Sequence, residues 1–199
     1  IIRKNRYDIN PNADVLEEIL SEIGRYKSRC FPDNDISKKR STCESTCYTP
    51  GKEINENMNY IPQNISPELF RNLYQDFTRA QEILGKIDFD DMALKCLELF
   101  QERPDILKRY QARYRYLLID EFQDIAPIQY HLVRLLAAPE NNLFIVGDDD
   151  QSIYGFRSAK PDIMRNFPKE YPSAKIVALQ INYRSTPQVV SAAGKLIGR

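Results

Sequence analysis

Apolar residues recur at helical spacing through the first part of the chain and gather into short continuous runs in the last part, with the change near Tyr114. Val15, Leu16, Ile19, Leu20 and Ile23 follow Pro11-Asn12 and predict an amphipathic helix reaching about Tyr26. The pattern then lapses until Ser66-Pro67-Glu68, where a capping hydroxyl, a proline suited to the first helical position and an acid in the first turn announce a second helix. Its buried stripe is expected from Leu69, Phe70, Leu73, Tyr74, Phe77, Ala80 and Ile83. Asp88-Phe89-Asp90-Asp91 opens another helix to about Gln101, and Pro104-Asp105 a short one carrying Ile106, Leu107 and Tyr110.

Beyond Tyr114 the pattern predicts strands. Tyr116–Ile119, Leu143–Val146 and Ile176–Leu179 are nearly unbroken apolar runs, as in strands covered on both faces. A helix over Pro127 to Ala138, with Ile128, Leu132, Leu135 and Leu136 on its apolar face, separates the first two. Strand, helix, strand implies a right-handed parallel crossover, hence an α/β fold preceded by a mainly helical region.

Charge and cysteine usage narrow the picture slightly. Lys plus Arg equals Asp plus Glu at 28 each, so any nucleic-acid partner must meet a local surface and not a global positive field. From Arg25 to Lys52, seven basic residues stand against three acidic ones; a solvated loop is the preferred reading, with contact to duplex phosphates as the alternative. The cysteines, Cys30, Cys43, Cys47 and Cys96, form no paired CxxC motifs and the single histidine, His131, is remote, so free thiols are preferred over a metal site. No apolar run is long enough to span a bilayer and no secretion signal is seen at the start, which points to the cytoplasm and away from a membrane partner.

Each expected strand runs into a polar cluster at its carboxyl end, the edge where open α/β sheets bind ligands. Asp120-Glu121-Phe122-Gln123-Asp124 follows the first. Adjacent carboxylates after an apolar strand suit a nucleotide hydrolase, one holding Mg²⁺ and the next facing the attacking water, although a strand can also simply end in a solvated turn. Gly147 to Arg157 follows the second and combines a tight turn, acids, Gln151, two aromatics and an arginine. That mixture suits phosphate sensing at one end and base stacking at the other, unless Tyr154 and Phe156 are core residues. Asn182-Tyr183-Arg184-Ser185 follows the third, with a ring able to lie on a nucleobase and a guanidinium able to reach phosphate.

In order and spacing, LLIDEFQD (Leu117 to Asp124), VGDDDQSIYGFR (Val146 to Arg157) and NYRST (Asn182 to Thr186) resemble motifs II, III and IV of superfamily 1 DNA helicases of the UvrD, Rep and PcrA group. IDFDDM (Ile87 to Met92) resembles a further element of that family shortly before motif II. The resemblance implies residues 1–86 as a mainly helical accessory domain (1B-like) and 87–199 as the carboxyl part of a RecA-like motor domain (1A), a partial parallel sheet with helices on its faces. It further implies ATP and Mg²⁺ as cofactors. Asp120 and Glu121 would form the metal site, with Asp120 holding the ion and Glu121 activating the attacking water; Gln151 would sense the γ-phosphate, Tyr183 would stack on adenine and Arg184 would act as an arginine finger. Tyr154, Phe156 and Arg157 would face single-stranded DNA.

The implied partners are single-stranded DNA, the junction with duplex, and the remainder of a helicase chain. Ser158 stands where relatives usually have glycine before alanine, and Phe156 where several have tryptophan. No G-x-x-x-x-G-K-[ST] phosphate loop occurs in these residues, so the expectation is a helicase segment that hydrolyses nothing alone. The competing expectation is a non-enzymatic module that retains a DNA- or partner-binding surface.

Overall fold

A computed structural model describes residues 13–29, 65–153 and 159–198. The basic stretch beyond Arg29, Cys30, Cys43, Cys47, and the expected DNA-facing Tyr154, Phe156 and Arg157 lie outside the described residues.

Helix α1 (Ala13–Arg29) turns Ile19 and Ile23 toward Phe70, Leu73 and Tyr74 of α2 (Pro67–Leu84). Tyr26 closes this cluster edge-on, its ring 4.8 Å from Tyr74 and 6.0 Å from Phe70 between centroids. The start of α2 follows the expected chemistry: the Leu69 amide donates to Ser66 Oγ at 3.2 Å and Pro67 opens the first turn. Its end is set by Gly85, whose φ of 60° is a backbone state glycine adopts without steric cost. The buried stripe stops short of Ile83, which is exposed.

Helix α3 (Phe89–Glu102) begins with a reciprocal cap: the Asp91 amide donates to Asp88 Oδ1 at 2.8 Å and the Asp88 amide to Asp91 Oδ2 at 3.1 Å. It buries Leu94, Leu97 and Phe100 and packs on α1, on α4 (Pro104–Arg113) and on α5 (Pro127–Ala137). Lys27 reaches from α1 to the start of α3. Its side chain is 1% exposed, its Nζ lies 2.7 Å from Asp88 and 2.6 Å from Asp91, and Gln81 Nε2 donates to the same Asp91 at 2.7 Å.

Strands β1 (Leu117–Ile119) and β2 (Leu143–Ile145) pair in parallel with Leu117 opposite Leu143 and Ile119 opposite Ile145, joined through α5 as the pattern predicts. Two expectations fail here. One face of the sheet is open, with Leu118 and Phe144 exposed, so the strands are not covered on both sides among the described residues. Ile176–Leu179 forms no strand: no described strand lies beside it to complete a hydrogen-bonded ladder, and Ile176, Val177 and Leu179 are exposed. On α5 the buried positions are Ile128, Tyr130 and Ala137, with Leu132, Leu135 and Leu136 only half-buried, so the face is rotated from the expected one.

The covered face of the sheet packs on a cluster built from Phe122, Ile125, Tyr130, Ile163 and Phe167. The last two belong to α6 (Pro161–Glu170), a helix additional to the predicted elements, as is α7 (Pro187–Ile197), which buries none of its residues. Helix, short parallel sheet and helix give an α/β architecture dominated by helix.

Candidate active site at the carboxyl edge of the sheet

The two strands end together, and their pairing continues one step past each: the Val146 amide donates to the Ile119 carbonyl and the Phe122 amide to the Val146 carbonyl, both at 2.9 Å. Asp120-Glu121 and Gly147-Asp148 therefore leave neighbouring strands side by side. Glu121 turns the chain sharply at φ 52°, in the left-handed region that a residue with a Cβ occupies at a cost. The Glu121 amide donates to Asp120 Oδ1 at 2.9 Å, and a single 3-10 turn, Phe122–Asp124, follows.

Gln123 joins the two clusters. Its Nε2 donates to Glu121 Oε2 at 2.8 Å and its Oε1 accepts from the Asp148 amide at 3.0 Å, so both ends of one carboxamide are used in a position 1% exposed. Gly147 makes the room. A Cβ there would sit 2.7 Å from Gln123 Oε1 and 2.8 Å from Met164 Sδ, closer than packed atoms approach.

The second cluster is a 3-10 turn, Asp149–Gln151, folded around Asp148. Asp148 Oδ1 accepts from the Asp150 amide at 3.1 Å and Oδ2 from Gln151 Nε2 at 2.8 Å. Asp148, Asp149 and Asp150 each offer a carboxylate oxygen within 4.8 Å of the others, and Arg165 of α6 lies 3.3 Å from Asp149. An all-oxygen donor set of this kind is the type a hard cation such as Mg²⁺ takes, and Asp120, exposed, follows the neighbouring strand. Gln151 is thus placed at the edge with Asp120 and Glu121, engaged with Asp148.

The third expected cluster is joined to the other two by none of the hydrogen bonds described. Asn182 Oδ1 accepts from the Arg184 and Ser185 amides, each at 2.9 Å, in a turn that leads into α7. Tyr183 and Arg184 are exposed, and the hydrogen bonds described for this cluster are its own. His131 lies on α5, where burial and then Arg134 lower its proton affinity, and burial raises that of the Cys96 thiol on α3. Neither belongs to the two acidic clusters. A cleft of about 160 Å³ lies between α2 and α3, lined by Tyr74, Gln81 and Lys86 among others, so the edge is identified by its chemistry and not by depth.

Gln123 and Arg165 are the site residues that sequence patterns leave without a role. An amide and a surface arginine carry no motif signal of their own.

Fold and site together define an α/β protein with paired acidic clusters, one bridging glutamine between them, at the carboxyl edge of a parallel sheet. Residues 3–172 match the UvrD/REP helicase N-terminal domain, and the chain belongs to that family. It is 43% identical over 189 residues to YjcD of Bacillus subtilis (strain 168), covering 92% of this chain and 24% of the relative. It is 36% identical over 198 residues to ATP-dependent DNA helicase PcrA of Staphylococcus aureus (strain COL), covering 98% of this chain and 26% of the relative. DNA helicase II of Escherichia coli (strain K12) is 42% identical over 130 residues, 65% of this chain and 18% of the relative. The chain spans about a quarter or less of the length of these relatives. Among the described residues no helix is long and apolar enough to cross a membrane.

Proposed function

We propose that this chain is the part of an ATP-dependent DNA helicase that carries the catalytic carboxylate, the phosphate sensor and a DNA-facing loop. Residues 1–86 act as the accessory domain and 87–199 as the carboxyl part of a RecA-like motor domain; the remainder of the helicase contributes the phosphate loop and the second motor domain. The observation that carries the reading is the adjacency of Asp120-Glu121 and Gly147–Gln151 on neighbouring strand ends, held by one buried carboxamide.

Asp120 would hold Mg²⁺. Such an ion, if bound there with ATP, would supply charge neutralisation for phosphoryl transfer. Glu121, its Oε2 fixed by Gln123, takes the proton of the attacking water. Gln151 exchanges its contact with Asp148 for one with the γ-phosphate, so that nucleotide state alters the turn that leads toward Tyr154. Tyr183 stacks on adenine and Arg184 meets phosphate; both are exposed, and so free to close on a nucleotide. Tyr154, Phe156 and Arg157 grip single-stranded DNA by stacking and charge, each base stack contributing about 1–3 kcal/mol without regard to sequence. Turnover then drives movement along one strand and separation at the duplex junction, in the cytoplasm, and the chain by itself hydrolyses no ATP.

Glu121→Gln in the full-length parent tests the core of this reading. Steady-state hydrolysis with single-stranded DNA is expected to fall by about 10² or more, with nucleotide and DNA affinities retained. Wild-type turnover by that variant would end the assignment.

A further inference from the structure

We infer that Gln123 is a positioning residue whose one carboxamide sets the catalytic carboxylate of Glu121 and the Gly147–Ser152 loop in a fixed register; the inference rests on the catalytic reading of Glu121 above.

Three observations carry it. First, the carboxamide is spent in two directions, donating to Glu121 Oε2 at 2.8 Å and accepting from the Asp148 amide at 3.0 Å. A side chain that only filled core space would need neither contact, and one that only satisfied Glu121 would leave its oxygen without a partner, a costly state at 1% exposure. Second, the main chain of the same residue takes part: Ser152 Oγ donates to the Gln123 carbonyl at 3.4 Å, so the loop is tied to Gln123 at both of its ends. Third, the space is kept for it. Gly147 has no Cβ where one would stand 2.7 Å from Gln123 Oε1, and Phe122, the preceding residue, is 0% exposed, which anchors the turn from below.

The physical consequence is a rigid link across the sheet edge. A shift of the Asp148 amide moves the acceptor end of the carboxamide, and the donor end must follow, turning Glu121. The loop runs through Gln151 and Ser152 toward Tyr154. Events on that loop therefore reach the carboxylate through one side chain, without displacement of either strand. Gln123 touches no reacting atom in this scheme; it acts through Glu121.

The test is steady-state ATPase kinetics on the full-length parent, with and without single-stranded DNA. Gln123→Met keeps length and volume but neither donates nor accepts as an amide does. Its kcat with DNA is expected to fall about 10²-fold, the scale set by misplacing a reacting group by a fraction of an ångström to an ångström. KM for ATP and Kd for single-stranded DNA should stay within about threefold, which separates lost positioning from lost binding. The ratio of turnover with DNA to turnover without it should collapse toward one. Gly147→Ala displaces the carboxamide while leaving it in the protein and should reproduce the kcat loss. In a Gln123→Ala background the contact with Oε1 is gone while those with Met164 Sδ at 2.8 Å and the backbone nitrogen of residue 123 at 3.2 Å remain, so the same Gly147→Ala change should cost clearly less kcat than it does in the parent, a coupling that independent sites do not show. A Gln123→Met parent that keeps its DNA-stimulated kcat, a loss of kcat matched by equal losses of DNA affinity and melting temperature, or strict additivity of the two substitutions overturns the inference. Glu121→Gln run alongside separates the two levels. Turnover by Glu121→Gln sinks the catalytic reading, whereas an inactive Glu121→Gln beside a fully active Gln123→Met sinks the role of Gln123 alone.

Discussion

Glu121 and Phe122 are adjacent in sequence and opposed in function. Glu121 holds a left-handed backbone at φ 52°, a conformation costing a side-chain-bearing residue on the order of 1–3 kcal/mol. Phe122 offsets that cost. It is 0% exposed and meets Tyr130 and Phe167 edge-on, each at 5.8 Å between centroids. Phe122→Ala is expected to lower unfolding stability by about 3–5 kcal/mol, and Phe89→Ala, at a residue 91% exposed, by well under 1 kcal/mol; urea unfolding of both variants checks the contrast. Asp120, Glu121 and Gln151 were legible in the sequence because carboxylates and an amide directly after apolar runs stand at strand ends, and the structure puts all three at one edge. Gln123 was not legible as a link. Its neighbours across the edge are 25 residues away in Asp148, and nothing local signals that a glutamine is buried.

At the scale of elements, helix starts were readable and helix partners were not. Ser66-Pro67-Glu68 and Asp88 to Asp91 act within four residues, so their caps follow from sequence. The Lys27 contact with Asp88 spans 61 positions and leaves no such trace. It ties α1, in the segment read as accessory, to α3, in the segment read as motor. Removing one partner of a buried ion pair strands the other, and Lys27→Met should cost about 3–5 kcal/mol in denaturant unfolding. The pH dependence has a definite sign. Burial raises the Asp91 carboxyl, but the hydrogen bond from Lys27, the Asp88 amide and Gln81 outweigh it and hold the group below its ordinary 3.8. A lowered carboxyl contributes stability that is fully present above 3.8 and is lost as the pH falls below that value through the folded-state one. An acid titration of stability should show this loss in the parent and a weaker one in Lys27→Met. The apolar run at Ile176–Leu179 illustrates the opposite limit: composition signals a strand, but a strand exists only beside another, and composition does not say where that neighbour is.

For the whole molecule, the open face bearing Leu118 and Phe144 and the exposed run Ile176, Val177 and Leu179 leave large apolar side chains facing water. Large apolar side chains exposed in numbers are surfaces that proteins tend to cover with another chain. The chain expressed alone should therefore self-associate in sedimentation velocity, and Leu118→Lys with Phe144→Lys should return it toward monomer without unfolding it; a wild-type chain that sediments as a monomer would contradict this. The clasp between Lys27 and Asp88 carries a different consequence, for how this part of the protein can vary over time. Its two ends are 61 positions apart, and the entropy of closing such a span grows only with the logarithm of its length. Doubling the span would cost only about 0.6 kcal/mol, so long as the clasp holds. Added length in the chain between α1 and α2 is thus thermodynamically inexpensive so long as Phe70, Leu73 and Tyr74 keep their packing on Ile19 and Ile23, which makes that connection the natural place for the chain to diversify while the carboxylate edge stays as it is.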